Sequence, residues 1–214
     1  LYVAGAPVSE GEARMDDGSD VDAEVMWLTG QVRDTQGKPV AGAQVEIWHA
    51  DSKGGYSFFD PSQSQYNLRR TIIADAEGRY LARSIIPSGY GVPAGSPTDQ
   101  VLKLLGRHGQ RPAHIHFFVS APGHRHLTTQ INLAGDEYTW DDFAFATREE
   151  LVVDATRIED AAEAAKRGLE APFTEVVFDV ELAPTADPEQ QSRHKRPRAL
   201  EDEATAAKRE PVEA

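Results

Sequence analysis

The chain has 214 residues, 40% of them hydrophobic, so it can bury one sizeable core and is expected to form one domain with a tail. Its formal net charge of −13 argues against nucleic acid and against an anionic membrane surface as partners. Cysteine is absent, which excludes disulfides, thiolate metal sites and a cysteine nucleophile. Because the lack of cysteine fits a reducing compartment and no apolar run is long enough to span a membrane, we expect a cytoplasmic protein.

Most of the predicted elements are short strands. Apolar runs and alternating patterns, separated by Gly, Pro and Asp turns, predict strands over residues 25–32, 43–48, 71–74, 79–83, 115–119, 127–132 and 173–181. Residues 75–78 predict a hairpin turn between two of these strands, with Gly78 at positive φ. The pattern predicts a mainly β protein: a two-sheet antiparallel β-sandwich with long functional loops at 52–68 and 87–109.

Helix is expected to be minor. Glu, Ala, Lys and Arg dominate residues 148–168, which predicts an amphipathic helix there, and a short helix is expected at 100–105. From residue 185 onward the composition shifts to Glu, Ala, Arg, Lys and Pro. We therefore predict two parts, a β-sandwich domain over residues 1–184 and a charged, flexible tail over residues 185–214.

Two histidines one residue apart, His114 and His116, are the most informative feature of the sequence. Alternate side chains of a strand leave the same face, so both imidazoles point the same way with their Cα atoms roughly 7 Å apart. That spacing suits one metal ion. A structural histidine pair on a half-exposed strand fits the same two residues equally well, so partners elsewhere in the chain must decide.

Two tyrosines beside glycines in the long loops, Tyr56 and Tyr90, are such partners. A loop tyrosine taken alone more often packs with a hydrogen-bonded hydroxyl. Two loop tyrosines together with the histidine pair, however, suggest a metal site. Phenolate is a hard anionic oxygen donor that suits Fe(III). Zinc more often takes three His or carboxylates, the ferrous triad needs Asp or Glu in place of His116, and calcium needs a carboxylate cluster. The spare ligand candidates are His49, His108, His124 and His126.

Seven motifs stand in order along the chain. They are Val45-Glu-Ile-Trp-His-Ala-Asp51, Tyr56-Ser-Phe-Phe-Asp60, Asn67-Leu-Arg-Arg70, Pro87-Ser-Gly-Tyr-Gly91, Leu105-Gly-Arg-His-Gly-Gln-Arg-Pro-Ala-His-Ile-His116, Leu127-Thr-Thr-Gln-Ile-Asn132 and Asp141-Asp-Phe-Ala-Phe-Ala-Thr-Arg148. In these motifs the chain resembles the intradiol ring-cleavage dioxygenases, and most closely those that act on catechol. The resemblance extends from residue 1 to about residue 182.

The resemblance implies a role for particular residues. The implied ligands of a non-haem Fe(III) are Tyr56, Tyr90, His114 and His116. The implied catalytic residues are Arg111, which stabilises negative charge on the activated ring, Gln130 beside the ligands, and Tyr90, which takes up a substrate proton. The implied substrate-binding residues are Leu1, Arg111, Phe143 and Ala144.

The implied reaction is intradiol cleavage of catechol by O2 to cis,cis-muconate, in aromatic catabolism through the β-ketoadipate pathway, with Fe(III) and no organic cofactor. Family members that act on chlorocatechol, hydroxyquinol or protocatechuate are the alternatives within the enzyme class. A non-catalytic transthyretin-like β-sandwich binding module is the alternative from another class, because the Gly- and Val-rich pattern over residues 30–45 is common in such modules. The family's helical N-terminal dimerisation region has no match here, so a homodimer is expected only if such a region precedes residue 1.

Overall fold

A computed structural model describes residues 2–191, and the predicted pocket residue Leu1 and most of the predicted tail lie outside these residues. The described chain is mainly β. Its strands are β1 (Val8–Glu10), β2 (Glu12–Arg14), β3 (Val25–Asp34), β4 (Gln44–His49), β5 (Arg69–Ile73), β6 (Arg79–Ile85), β7 (Tyr90–Gly91), β8 (Gln110–Arg111), β9 (His114–Ser120), β10 (Leu127–Leu133), β11 (Val152–Val153), β12 (Thr156–Ile158), β13 (Phe173–Val177) and β14 (Val180–Leu182). Its α-helices are α1 (Pro97–Leu104), α2 (Ala161–Lys166) and α3 (Pro188–Gln191), and Glu149–Leu151 forms a 3₁₀ turn.

Two six-stranded sheets enclose the core, which confirms the predicted sandwich. The first sheet has the order β1-β5-β4-β9-β10-β11, and the second has the order β12-β13-β3-β6-β2, with β14 also paired to β3. Buried residues of the first sheet are Val45, Ile47, Ile115, Phe117 and Ile131. Buried residues of the second sheet are Met26, Leu28, Tyr80, Ala82 and Val176. Burial of these apolar side chains between the sheets is the main stabilising contribution to the fold.

The sheets are mixed, whereas the sequence pattern predicts antiparallel ones. The pairs β4–β5, β4–β9, β9–β10, β3–β6 and β12–β13 are antiparallel. The pairs β1–β5, β10–β11, β2–β6, β3–β13 and β3–β14 are parallel. Each parallel pair joins segments far apart in the sequence, which a tight hairpin does not connect, so the chain is free to return in the same direction.

The turn at residues 75–78 has the predicted conformation but does not join a hairpin. Gly78 has φ of +73°, and Asp75 accepts hydrogen bonds from the backbone N–H groups of Glu77 (3.0 Å) and Arg79 (2.8 Å). The strands on either side belong to different sheets, β5 to the first and β6 to the second. The turn therefore carries the chain from one layer of the sandwich to the other.

The predicted long helix at 148–168 is wrong. A 3₁₀ turn, the short strands β11 and β12, and the six-residue helix α2 occupy this region. The β-branched pairs Val152-Val153 and Thr156–Ile158 favour strands, and Asp160 begins α2 by accepting hydrogen bonds from Ala162 N and Glu163 N. Helix α1 is confirmed but longer than predicted, because Ser96 provides its N-cap.

Strand β9 positions the site, because its two faces differ. Ile115, Phe117 and Val119 point into the core, while His114 and His116 leave the opposite face of the first sheet. The histidines thus lie on an inner strand of that sheet, on the face turned away from the core. Within residues 2–191 no helix has the length and apolarity that a bilayer crossing requires.

Candidate metal centre

The imidazoles of His114 and His116 converge through their Nε2 atoms. These two atoms lie 3.2 Å apart, and the rings are nearly perpendicular, at 87°. The Nδ1–H of His114 donates to the Pro112 carbonyl at 2.7 Å, which leaves the lone pair on Nε2. Trp48, the cross-strand neighbour of His116, stacks on that ring at 4.8 Å and 12°. One neighbour therefore orients each ring so that its Nε2 faces the same point.

The two tyrosines lie on separate loops that approach each other closely beside the histidine pair. Their rings are 5.5 Å apart, and the Tyr90 ring is also 5.5 Å from that of His114. Gly54 has φ of +84°, and a Cβ there would lie 2.8 Å from the Cβ of Tyr90. A Cβ on Gly89 would lie 2.5 Å from the carbonyl oxygen of Arg111. Glycine at both positions is thus required for the backbone to approach Tyr90 and Arg111 so closely.

Arg111 is bonded to three side chains around the site. It lies opposite Tyr90 in the two-residue ladder between β7 and β8. Its Nη1 is 3.0 Å from His114 Nε2, and its Nη2 donates to Gln130 Oε1 at 3.1 Å. Its Nε and Nη2 contact the Asp142 carboxylate. A buried cation therefore stands directly beside the imidazole pair.

Burial sets the protonation of these groups. Burial, followed by the charge of Arg111, lowers the pKa of His114 to about 4. Burial, followed by the neighbouring His114, lowers the pKa of His116 well below its usual range. Burial, followed by the neighbouring Tyr90 phenol, raises the pKa of Tyr56 well above 10. The imidazoles are therefore neutral near pH 7, the form that binds a metal, while the Tyr56 phenol needs a nearby cation in order to ionise.

The donor set fits a hard trivalent metal. Among residues 2–191, no group of three or more His, Asp or Glu side chains is arranged to hold a metal ion. The two tyrosines are the further oxygen donors that the sequence predicts for the histidine pair. The Tyr56 hydroxyl is buried beside the Tyr90 phenol, which leaves its oxygen available as a ligand. Two phenolates and two neutral imidazoles match the preference of Fe(III) for anionic oxygen.

The structure brings together six of the predicted residues: Tyr56, Tyr90, Arg111, His114, His116 and Gln130. Phe143 and Ala144 follow directly after Asp142, and their pocket role stays a prediction. The spare candidates are engaged elsewhere: His49 in the core, His108 with Asp141, His124 with the Pro122 carbonyl, and His126 against Phe118. Sequence reasoning missed Asp142 and Trp48, because their proximity to the site follows from tertiary contacts that no local pattern encodes.

Comparison with known proteins shows the family to which the chain belongs. A family model described as dioxygenase matches residues 1–184. The chain belongs to the intradiol dioxygenase family. A catechol 1,2-dioxygenase of Pseudomonas sp. (strain EST1001) is 70% identical to this chain over 193 residues, covering 90% of the chain and 64% of the relative. The crystal structure of catechol 1,2-dioxygenase from Pseudomonas arvilla C-1 superposes with a TM-score of 0.90 and 60% identity, covering 94% of this chain and 65% of that one.

A relative with a different substrate is less similar. Chlorocatechol 1,2-dioxygenase of Rhodococcus opacus is 40% identical over 162 residues, covering 74% of this chain and 63% of the relative. In each of these comparisons the chain spans less than two thirds of the length of the protein that it matches. Family membership implies a metal cofactor.

Proposed function

We propose that this dioxygenase binds Fe(III) through Tyr56, Tyr90, His114 and His116 and uses O2 to cleave catechol between its hydroxylated carbons, giving cis,cis-muconate. Both oxygen atoms enter the product, so the reaction needs no external reductant. The observation that carries the proposal is the convergence of two neutral imidazoles and two phenols beside a buried arginine. Bound Fe(III) supplies a Lewis acid that makes the two hydroxyl protons of a catechol easier to remove.

The two tyrosines are proposed to differ in role. The Tyr56 hydroxyl is buried from solvent, which suits a permanent ligand. Tyr90 lies on a ladder of only two residue pairs, next to Arg111. We assign to the Tyr90 Oη the uptake of one substrate proton, because a phenolate is a strong enough base to accept it.

Arg111 is proposed to stabilise the negative charge that develops on the substrate ring. Its guanidinium cannot lose its proton near neutral pH, and Asp142 and burial leave it in a fixed orientation. Nη1 points to the histidine pair, so the positive charge is in place before the reaction begins. Such a preorganised charge lowers a barrier without reorganisation during the step. Gln130, which accepts from Nη2, holds the same group on its other side.

Catechol is the preferred substrate in this proposal. The relative that shares 70% identity is named for catechol, and the chlorocatechol relative shares 40%. Measuring kcat/KM for catechol, 4-chlorocatechol and hydroxyquinol would test this choice, and a higher value for either substituted diol would replace it. The β-ketoadipate pathway, a cytoplasmic setting and dimerisation through an additional N-terminal region are proposed on the same basis.

The experiment that tests the proposal is the visible spectrum of the iron-loaded protein, before and after anaerobic addition of catechol. We expect a broad phenolate-to-Fe(III) band that shifts when catechol binds, and O2 consumption equal to the muconate formed once air is admitted. Tyr56→Phe should lose most of the band and of the iron. Tyr66→Phe is the matched control. Tyr66 lies in the same 52–68 loop as Tyr56, but its hydroxyl donates to the Ala4 carbonyl. A wild-type protein that holds iron without the band would refute the ligand assignment.

A further inference from the structure

The Asp142 carboxylate is buried and grips one edge of the Arg111 guanidinium. Its side chain is 1% exposed. Oδ1 accepts from Nε at 3.2 Å and Oδ2 accepts from Nη2 at 3.2 Å. A side-on pair of this kind fixes the plane of the guanidinium as well as its position. The third nitrogen, Nη1, is left pointing towards His114 Nε2 at 3.0 Å.

The same carboxylate organises the segment that follows it. Oδ1 also accepts from Ala144 N at 3.0 Å, and Oδ2 accepts from Ala146 N at 3.2 Å. The backbone N–H of Phe143 donates to the Gln110 carbonyl at 3.1 Å, next to Arg111 in β8. Burial would raise the pKa of Asp142, but the hydrogen bonds from Arg111 and Ala144 lower it overall, so the group stays ionised.

A second chain of hydrogen bonds joins Arg111 to the far end of this segment. Gln130 accepts from Nη2 and donates to Asn132 Oδ1 at 3.2 Å. Asn132 in turn donates to Thr147 Oγ1 at 3.4 Å. Both ends of residues 142–147 are therefore tied to one guanidinium. An ion pair that served only stability would not require its arginine to face the metal ligands.

We propose that Asp142 is a positioning residue: it fixes the rotation of Arg111 so that Nη1 faces the metal centre and the developing charge on the substrate. This inference rests on the proposed function, which gives Arg111 its role. Asp142 touches neither ligand nor substrate in the proposal. The proposal assigns its effect on kcat to Arg111, and the test separates that effect from its bonds to Ala144 and Ala146.

The first measurement needs no change at Asp142 and no iron. In ¹⁵N-labelled metal-free protein, the Nε–H signal of Arg111 is assigned by its absence in Arg111→Lys. We expect its exchange with water to be at least about tenfold slower than that of Arg79, whose side chain is 63% exposed and also pairs with an aspartate. Equal exchange rates would overturn the proposal even if the variants failed to fold.

The second measurement is a kinetic cycle on iron-loaded protein. Asp142→Asn should retain iron and the phenolate band, lower kcat about 10- to 100-fold and change KM less than about threefold. Asp75→Asn is the matched control, since Asp75 also binds one arginine and two backbone N–H groups, at a turn between the sheets. It should leave kcat within about twofold of wild type.

The cycle is completed in the Arg111→Lys background, where the guanidinium fork is absent. In that background Asp142→Asn should lower kcat by less than about twofold, because lysine has no planar guanidinium for Asp142 to orient. The same 10- to 100-fold loss in both backgrounds would mean that Asp142 acts independently of Arg111, and the proposal would be wrong. A wild-type protein without dioxygenase activity would refute the proposed function, and the exchange rates of Arg111 Nε–H in the wild type and in Asp142→Asn would then still decide whether Asp142 orders Arg111.

Discussion

His49 should make the protein lose stability as the pH falls below 6.5. Its ring lies in the core, where Nδ1–H donates to the Ala50 carbonyl at 2.7 Å and Nε2 accepts from the Ser84 hydroxyl of the opposite sheet at 2.8 Å. Burial lowers the pKa of His49 to about 4, from an ordinary 6.5. As the pH falls, His49 is therefore protonated in the unfolded chain before it is protonated in the folded protein. The stability linked to the neutral ring is complete above pH 6.5, declines between pH 6.5 and 4, and is constant below that.

The magnitude follows from the gap between the two pKa values. At about 1.4 kcal/mol for each pH unit, the full loss of unfolding free energy is roughly 3 kcal/mol, of which about 2 kcal/mol is lost by pH 5. This is large beside the total stability of a typical domain, about 5–15 kcal/mol. The cause is one buried imidazole that bridges the two sheets.

Urea unfolding of the metal-free wild type and of His49→Gln between pH 7.5 and 5 would measure the effect. Glutamine does not titrate, and its Oε1 can accept from Ser84. The wild type should be the more stable at pH 7.5, and its advantage should shrink by about 2 kcal/mol at pH 5. His124→Gln, which removes a histidine outside the core, should follow the wild-type pH dependence. A wild-type advantage that is constant over this range would refute the reasoning.

Three further changes test the site. Gly54→Ala, which places a Cβ 2.8 Å from that of Tyr90, should cost about 2–3 kcal/mol and reduce iron uptake. Gly37→Ala has a similar φ of +77° in open space and should cost only about 1 kcal/mol, so equal losses would contradict the close approach. Tyr90→Phe should keep some iron but lose about 10²-fold or more in kcat, and full turnover would exclude Tyr90 as the proton acceptor. Arg111→Ala should keep its iron while the barrier rises by about 3 kcal/mol, measured as kcat at full iron loading, where an unchanged kcat would remove its assigned role.

Much of the fold can be predicted from the sequence, because strand alternation and turn residues are encoded in short segments. The alternation in β4, β9 and β10 records which side chains face the core, and the glycine at position 78 marks its turn. The helix prediction at 148–168 failed because charged residues and alanines outweighed the β-branched pairs that form β11 and β12. The parallel pairings were also missed, since the direction of a distant strand leaves no mark on its own residues.

The candidate site likewise has a part that local sequence predicts and a part that only the folded structure shows. The histidine pair is visible because strand periodicity alone places both rings on one face. The approach of the two tyrosine loops depends on Gly54 and Gly89, whose close contacts exist only in the folded protein. Asp142 lies 31 residues from Arg111 in the sequence, and an aspartate beside another aspartate in a polar segment looks like solvated surface. Its role becomes apparent only from the folded structure, in which the segment containing Asp142 packs against β8.

The alternation of β9 has a consequence for how metal loading can be used. A shift of one residue in the pairing of β9 with β4 would turn His114 and His116 into the sandwich and Ile115 out to the site. The core and the ligand pair are therefore assembled by the same register, and neither can form correctly while the other is wrong. If the proposed iron site is correct, the intensity of its phenolate band should therefore be proportional to the fraction of molecules in which β9 is paired in its native register, and the band could be used to follow refolding.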